Sequence, residues 1–377
     1  MKSSLGQKIK LGFWTISAII IGVFLTSLVF KNSDTKGIIL IKNQAGYASM
    51  ISVSKLTTAT VAGKLTNGDN TTQDFLNLLF GGDIMLDRGV KNSVKKNFNG
   101  DYSALFEKLG ILKKSDVVFA NLEGPVSNVG KNIHNLYSFR MDPSAIPVLK
   151  GAGLSIVSVA NNHMGDWGAS AFVDTLARLK ENEILYTGGG VNENEAEQPA
   201  IIEKYGMKIG YLGFSDVGPN WMKATENKSG ILLASNPRFD EIVQNASKQV
   251  DYLVVSFHFG EEYQIKHNVR QEYLAHKAID DGAKIIIGTH PHVAEDTEVY
   301  SPKSCTQSSC MVFIAYSLGN FIFDQGFSQN TMQGMLLQIK FNRDGSMSVT
   351  KDIVKLNKFF QPDKIIVGKE EKIIFKK

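Results

Sequence analysis

Between residues 76 and 341, short apolar runs alternate with amphipathic segments. Five of the runs end abruptly in polar residues: Leu79-Phe80-Gly81-Gly82-Asp83, Val117-Val118-Phe119-Ala120-Asn121-Leu122-Glu123, Ile156-Val157-Ser158-Val159-Ala160-Asn161-Asn162-His163, Leu253-Val254-Val255-Ser256-Phe257-His258 and Ile285-Ile286-Ile287-Gly288-Thr289-His290. Each reads as a buried strand. Helical spacing is found at 102–112, 143–149, 169–180, 237–250 and 269–281. Alternation of this kind predicts an α/β domain. Two stretches depart from it. Ala200–Lys204 and Lys208–Phe214, joined by Tyr205-Gly206-Met207, read as a hairpin, as do Gly334–Phe341 and Ser346–Val354 around Asn342-Arg343-Asp344-Gly345. Hairpins mixed with βα units predict a mixed sheet or two packed sheets.

The ends are different material. Leu11–Phe30 is an uncharged run that would span about 30 Å as a helix, one bilayer core. Lys2, Lys8 and Lys10 precede it and favour an inside amino terminus. The expected organisation is a cytoplasmic segment over 1–10, an uncleaved anchor over 11–30, a polar stalk over 31–75, a globular domain over 76–341, and a hairpin with a lysine-rich tail over 342–377. A cleaved signal peptide is the competing reading, and either places the rest outside the cytoplasm. The 377 residues are 43% hydrophobic, ample for one large core, and a net charge of +4 without an arginine-rich patch argues against nucleic acid. Cys305 and Cys310 lie in a polar stretch between two strand-like runs, and in an exported chain a disulfide there is expected.

Open α/β sheets place ligands at the carboxyl ends of their strands, which is where the polar clusters fall. Asp83, Glu123, His258, His290 and His292 offer the carboxylates and imidazoles that one or two divalent ions require, and the amide of Asn162 can add an oxygen. In an extended segment, His290 and His292 would point to the same side about 7 Å apart. His163 can donate a proton to a leaving group and Asp166 can orient its ring, although Asp166 also suits the N-cap of a helix starting near Gly168. Asp83 taken alone suits a turn or cap, His258 a satisfied core position, and Asn320 either touches substrate or buttresses a ligand. No P-loop, Gly-x-Ser-x-Gly elbow or nucleophilic cysteine is present. Water activated by a divalent ion is the most economical chemistry.

The ordered motifs Gly-Asp, Asn-Leu-Glu, Asn-Asn-His, His-x-Gly-x-Glu and His-Pro-His resemble those of the capsule-synthesis CapA family. The resemblance runs from about Leu76 to Leu337 and is supported by Asp83–Arg88, Tyr137–Arg140 and Tyr316–Phe321. That family includes poly-γ-glutamate capsule biosynthesis proteins and looks like a branch of the calcineurin-like metallophosphoesterases. The resemblance implies a four-layer αββα sandwich of two mixed sheets with a metal site along one edge. It implies Asp83 and His292 on a first ion, Asn162, His258 and His290 on a second, Glu123 between them, and His163 as the acid. It implies Mn, Zn, Fe or Mg as the ion. The partners it implies are an anionic surface polymer or phosphoester and other capsule-synthesis membrane proteins. Arg88, Asn121, Arg140, Glu262 and Asn320 are the candidate substrate contacts. Two departures from the wider superfamily stand out. Met85 occupies the position of a usual histidine, and Glu123 that of a usual aspartate. An alternative is a non-catalytic polymer-binding or export component that keeps the fold.

Overall fold

The computed structural model describes the backbone of Lys36–Lys42, Ala48–Ser54 and Leu65–Thr66, and residues 73–374 save 304, 306–309 and 345. The expected anchor at 11–30 lies outside the described residues. Among those described, no helix is long and apolar enough to cross a membrane. Residues 1–60 form one unit and 61–377 another. In the first, Lys36–Lys42 pairs antiparallel with Ala48–Ser54, so the expected stalk carries a hairpin.

The larger unit starts with four parallel strands laid side by side: β1 (Phe75–Ile84), β2 (Val117–Leu122), β3 (Ile156–Ser158) and β4 (Leu185–Thr187). The chain then builds a second sheet from β5 (Ala200–Lys204), β6 (Met207–Ser215), β7 (Tyr252–His258), β8 (Ile285–Thr289), β9 (Thr297–Tyr300) and β10 (Val312–Ala315). Its order is β9-β10-β8-β7-β6-β5, with Leu65–Thr66 added beyond β5. The strands β6, β7, β8 and β10 are parallel, while β5 runs antiparallel to β6 and β9 antiparallel to β10. The chain returns to the first sheet with β11 (Asn320–Ile322), β12 (Gln333–Asn342), β13 (Ser346–Leu356), β14 (Pro362–Ile366) and β15 (Glu370–Ile374). β12 pairs antiparallel with β1 and with β13, and β14 and β15 both pair with β13. The segment from 342 to 374 is thus continuous with this sheet.

Residue alternation decides the layers. On β1, Leu78 and Phe80 share a core with Ile209, Tyr211 and Val254 of the second sheet. Leu79, between them, faces the other way and joins Val118, Val157 and the helices α1 (Arg88–Asn97), α2 (Ala145–Ala152) and α3 (Gly168–Glu181). The period of two puts alternate side chains on opposite faces. On the second sheet, α4 (Phe239–Ser247) and α5 (Val269–Asp280) bury Ile242, Val243, Leu274 and Ala278. The mixed sheets, covered by helices, fit a metallophosphoesterase-like fold.

Both expected hairpins form. The helix expected over 102–112 is instead two short 3₁₀ turns, Tyr102–Phe106 and Leu112–Lys114. Gly110 lies between them, and glycine is a poor helix interior residue. The helix α1 was not anticipated, because only Val90 and Val94 of its ten residues are buried and the remaining pattern is polar. The Cys305–Cys310 disulfide forms in the connection between the antiparallel pair β9 and β10.

Candidate metal centre

Parallel pairing brings the strand ends together. The register sets Asp83 of β1 beside Asn121 of β2 and Asn320 of β11. On the second sheet, His258 of β7 lies beside Thr289 of β8, and His290 and His292 follow immediately. Glycines allow the close approach: the β1–β2 register shifts between Phe80 and Asp83, and a Cβ on Gly82 would lie 1.8 Å from the Gly319 carbonyl oxygen. The Asp83 amide donates to that same carbonyl at 3.0 Å.

One ligand atom each from Asp83, Glu123 and His258 falls within 4.8 Å of the others, and all three residues are buried. His292 Nδ1 lies 3.4 Å from Asp83 Oδ2, and its Nε2 lies 3.6 Å from Glu123 Oε1. His290 stacks obliquely on His258 with ring centroids 4.8 Å apart. Asn162 Oδ1 lies 2.8 Å from His258 Nε2. The structure thus brings all six expected ligand residues to one place. The His290–His292 segment is not extended, however. His290 has φ 101° and His292 φ 59°, and the rings lie 6.1 Å apart at the centroids. The positive φ at two non-glycine residues is strain of the kind that a functional site tolerates.

The electrostatics fit a cation. Burial first, then the neighbouring Asp83 charge, push the Glu123 carboxyl well above the usual carboxylate range. Burial and the neighbouring histidines push His258 well down, and the same causes bring His290 to about 4. Glu123 Oε1 and His290 Nδ1 are buried without hydrogen-bond partners. Buried polar atoms are rarely left so. Two buried acids, neutral imidazoles and two orphaned acceptor-capable atoms together form a donor set short of positive charge.

The acid pair stands beside this set. His163 Nδ1 is 2.8 Å from Asp166 Oδ2, and His163 Nε2 is 3.9 Å from Glu123 Oε1. The Phe139 amide and Asn135 Nδ2 also donate to Asp166. Asp166 is therefore an acceptor, His163 Nδ1 carries the proton between them, and Nε2 is left for the cleft. α3 begins at Gly168 with Trp167 at its N-cap position, so Asp166 does not cap it.

Beneath the ligands lie residues that hold them. Asn121, fully buried, donates to Asp83 Oδ1 at 2.8 Å and accepts from Asn161 at 3.1 Å. Asn320, also fully buried, meets His292 Nδ1 at 3.0 Å and donates to Gln325 and to the Thr331 carbonyl. Neither faces open space, so both buttress the site instead of touching substrate. Thr289, which bonds His258 Nδ1 at 3.0 Å, and Asn161, which donates to Asn121, lie within the quoted motifs but carry no role that the sequence alone assigns. Arg88 and Glu262 line a cleft of about 240 Å³ together with His163 and His292. Arg140 instead stacks its guanidinium 3.5 Å above the Trp167 ring. Met85 packs with Phe139 and Phe323, leaving no nitrogen ligand at that position. His267 and His276 lie away from the site on Asp296 and Glu298.

The family model of bacterial capsule synthesis protein PGA_cap matches residues 77–325, which contain every ligand and acid residue above. Capsule biosynthesis protein CapA of Bacillus anthracis is 35% identical over 292 residues, covering 73% of this chain and 66% of that protein. PGA biosynthesis protein CapA of Bacillus subtilis (strain 168) is 33% identical over 282 residues, covering 73% and 70%. Probable polyglutamine synthesis accessory protein Rv0574c of Mycobacterium tuberculosis (strain ATCC 25618 / H37Rv) is 24% identical over 273 residues, covering 61% and 72%. The chain thus spans just under two thirds of the length of the first of these relatives. A site assembled from the motif residues of 77–325, with similarity along the same stretch, places this chain in the bacterial capsule synthesis protein PGA_cap family.

Proposed function

We propose that this protein is a membrane-anchored, extracytoplasmic component of capsule or poly-γ-glutamate-type surface-polymer biosynthesis that carries a divalent-metal, hydrolase-type site. The observation that carries the reading is the buried Asp83, Glu123 and His258 cluster, with its orphaned Glu123 oxygen, beside the His163–Asp166 pair. The names of the Bacillus relatives support the polymer context. The uncharged run at 11–30 supports the anchor, and the Cys305–Cys310 bridge supports an oxidising compartment.

Asp83, Glu123 and His258 would hold the ion, with Asn162, His290 and His292 around them. A divalent ion held there would supply an activated water and neutralise charge on a phosphoester or amide. The chain's own residues do the rest. Asn121 and Asn320 fix Asp83 and His292, and Asp166 fixes the His163 ring so that Nε2 can protonate the departing oxygen or nitrogen. The substrate is an anionic surface polymer or a phosphoester, and other capsule-synthesis membrane proteins are the partners.

A second reading, a non-catalytic binding or assembly component, is favoured by Met85, whose apolar packing denies the site one nitrogen ligand. Elemental analysis of the purified full chain separates the two. The hydrolase reading expects stoichiometric Mn, Zn, Fe or Mg, lost in the Asp83→Ala/His290→Ala double variant. Absence of metal in the wild type, with no thermal stabilisation when these ions are added, supports the second reading.

A further inference from the structure

The cleft over the cluster has a wall that the metal chemistry does not use. Tyr263 and Phe327 pack edge to face with centroids 5.2 Å apart, and Tyr263 lies 6.3 Å from the His292 ring. Tyr137 flanks Arg88 on the same cleft. These three rings remain 42%, 67% and 59% exposed. Large apolar faces left open at one mouth mark a binding surface.

The charges on this wall are already spoken for. Arg88 is held by Asp324 in a two-pronged pair, so it does not present a free cation. Glu262 lines the same cleft, and after burial its nearby carboxylate is what raises the Tyr263 hydroxyl above its ordinary pKa. Gln325 donates to that hydroxyl at 3.2 Å and keeps a second N–H. With Arg88 and Asp324 neutralising each other, a run of carboxylates entering here would meet the Glu262 carboxylate with no free cation on the wall, and like charges brought together are costly. A neutral ring with an apolar face and hydroxyls at its edge meets complementary groups instead. Its face can lie on one of the two perpendicular rings, with its edge against the other, and its hydroxyls would have the Glu262 carboxylate and the Gln325 amide beside them. The cleft volume of about 240 Å³ falls below the roughly 300–1,000 Å³ of pockets for drug-sized ligands, so it takes one ring and its phosphate.

We propose that this wall is a sugar-binding subsite, and that the substrate of the hydrolase-type site is the phosphoester of a sugar. The proposal rests on the hydrolase reading for its phosphate half alone. In the reaction, a water oxygen bonds to phosphorus and the ester P–O bond breaks with its electron pair on the sugar oxygen. That oxygen takes a proton from His163, which regains one from the protons of the attacking water. The products are the free sugar and phosphate.

Titration calorimetry on the full chain, with and without added Mn²⁺, tests both halves. The probes are glucose 1-phosphate, glycerol 3-phosphate, methyl glucoside and a γ-linked glutamate oligomer. Glucose 1-phosphate is expected to bind about tenfold more tightly than glycerol 3-phosphate, the scale of a stacked ring. Tyr263→Ala and Phe327→Ala are expected to abolish that preference while the Mn²⁺ content stays intact, and Tyr263→Phe is expected to retain most of it. Methyl glucoside carries no phosphate, so its binding to the metal-free chain reads the subsite even if the hydrolase reading fails. Equal affinity for the two phosphates, no methyl glucoside binding, or tighter binding of the glutamate oligomer overturns the proposal.

Discussion

His290 makes the buried, cation-poor character of the site measurable without any metal. Burial first, then the neighbouring His292, lowers its pKa from 6.5 to about 4. The unfolded chain therefore protonates this ring at a pH where the folded chain keeps it neutral. A depressed pKa contributes stability that is fully present above about 6.5 and is lost as pH falls through about 4. At about 1.4 kcal/mol per pH unit, the gap between 6.5 and about 4 is worth about 3 kcal/mol. Between pH 7 and 4.5, about 2 kcal/mol of it is lost. His290→Asn removes the titrating ring, and asparagine tolerates the positive φ at this position better than most residues. Urea unfolding of metal-free wild type and variant, at about pH 7 and about pH 4.5, gives the comparison. Glu123, raised by burial, contributes the opposite slope in both proteins: its stability is present at low pH and is lost as pH rises. His258, lowered first by burial and then by His290, adds a slope of the same sign in both proteins, so the difference between them reads His290 together with its coupling to His258. The wild type is expected to lose about 2 kcal/mol more than the variant on acidification. Equal losses would refute a neutral, buried His290.

Three further outcomes follow from the geometry. His163→Ala is expected to lower turnover of a phosphoester by about 10²–10⁴ with metal content intact, and Asp166→Asn to lower it less; full turnover in His163→Ala would remove it as the acid. Gly82→Ala forces a Cβ to within 1.8 Å of the Gly319 carbonyl oxygen, and such overpacking costs about 1–3 kcal/mol, readable as a lower melting temperature. Replacing Cys305 and Cys310 with serine opens a short loop worth about 2 kcal/mol in closure entropy, and an unchanged unfolding midpoint would show that the bridge contributes nothing.

What the sequence determined on its own was local. Apolar runs closed by polar residues located the strand ends, because burial on both faces demands continuous hydrophobicity and its sudden stop marks a surface. Turn residues located the two hairpins, and the spacing of Cys305 and Cys310 between strands made their bridge foreseeable. The helix α1 escaped because its apolar face is a single i,i+4 pair, Val90 and Val94, in an otherwise polar run. Only the tertiary structure decided which polar residues face the cleft and which lie beneath it. Asn121 reads as a substrate contact and Asn320 as either a contact or a buttress, and the pairing of β1 with both β2 and β11 buries the two as supports for Asp83 and His292. Asp166 read equally well as a helix cap until the loop carrying Asn135 and Phe139 was seen to donate to it. The exposed rings of Tyr137, Tyr263 and Phe327 lie far apart in the chain and carry no common pattern. Sequence spacing fixes where a side chain leaves its own strand. The side chains it meets come from other strands, 38 positions away for Asn121 and Asp83 and 96 for Asn162 and His258, and strand pairing together with the packing of the two sheets brings them within reach.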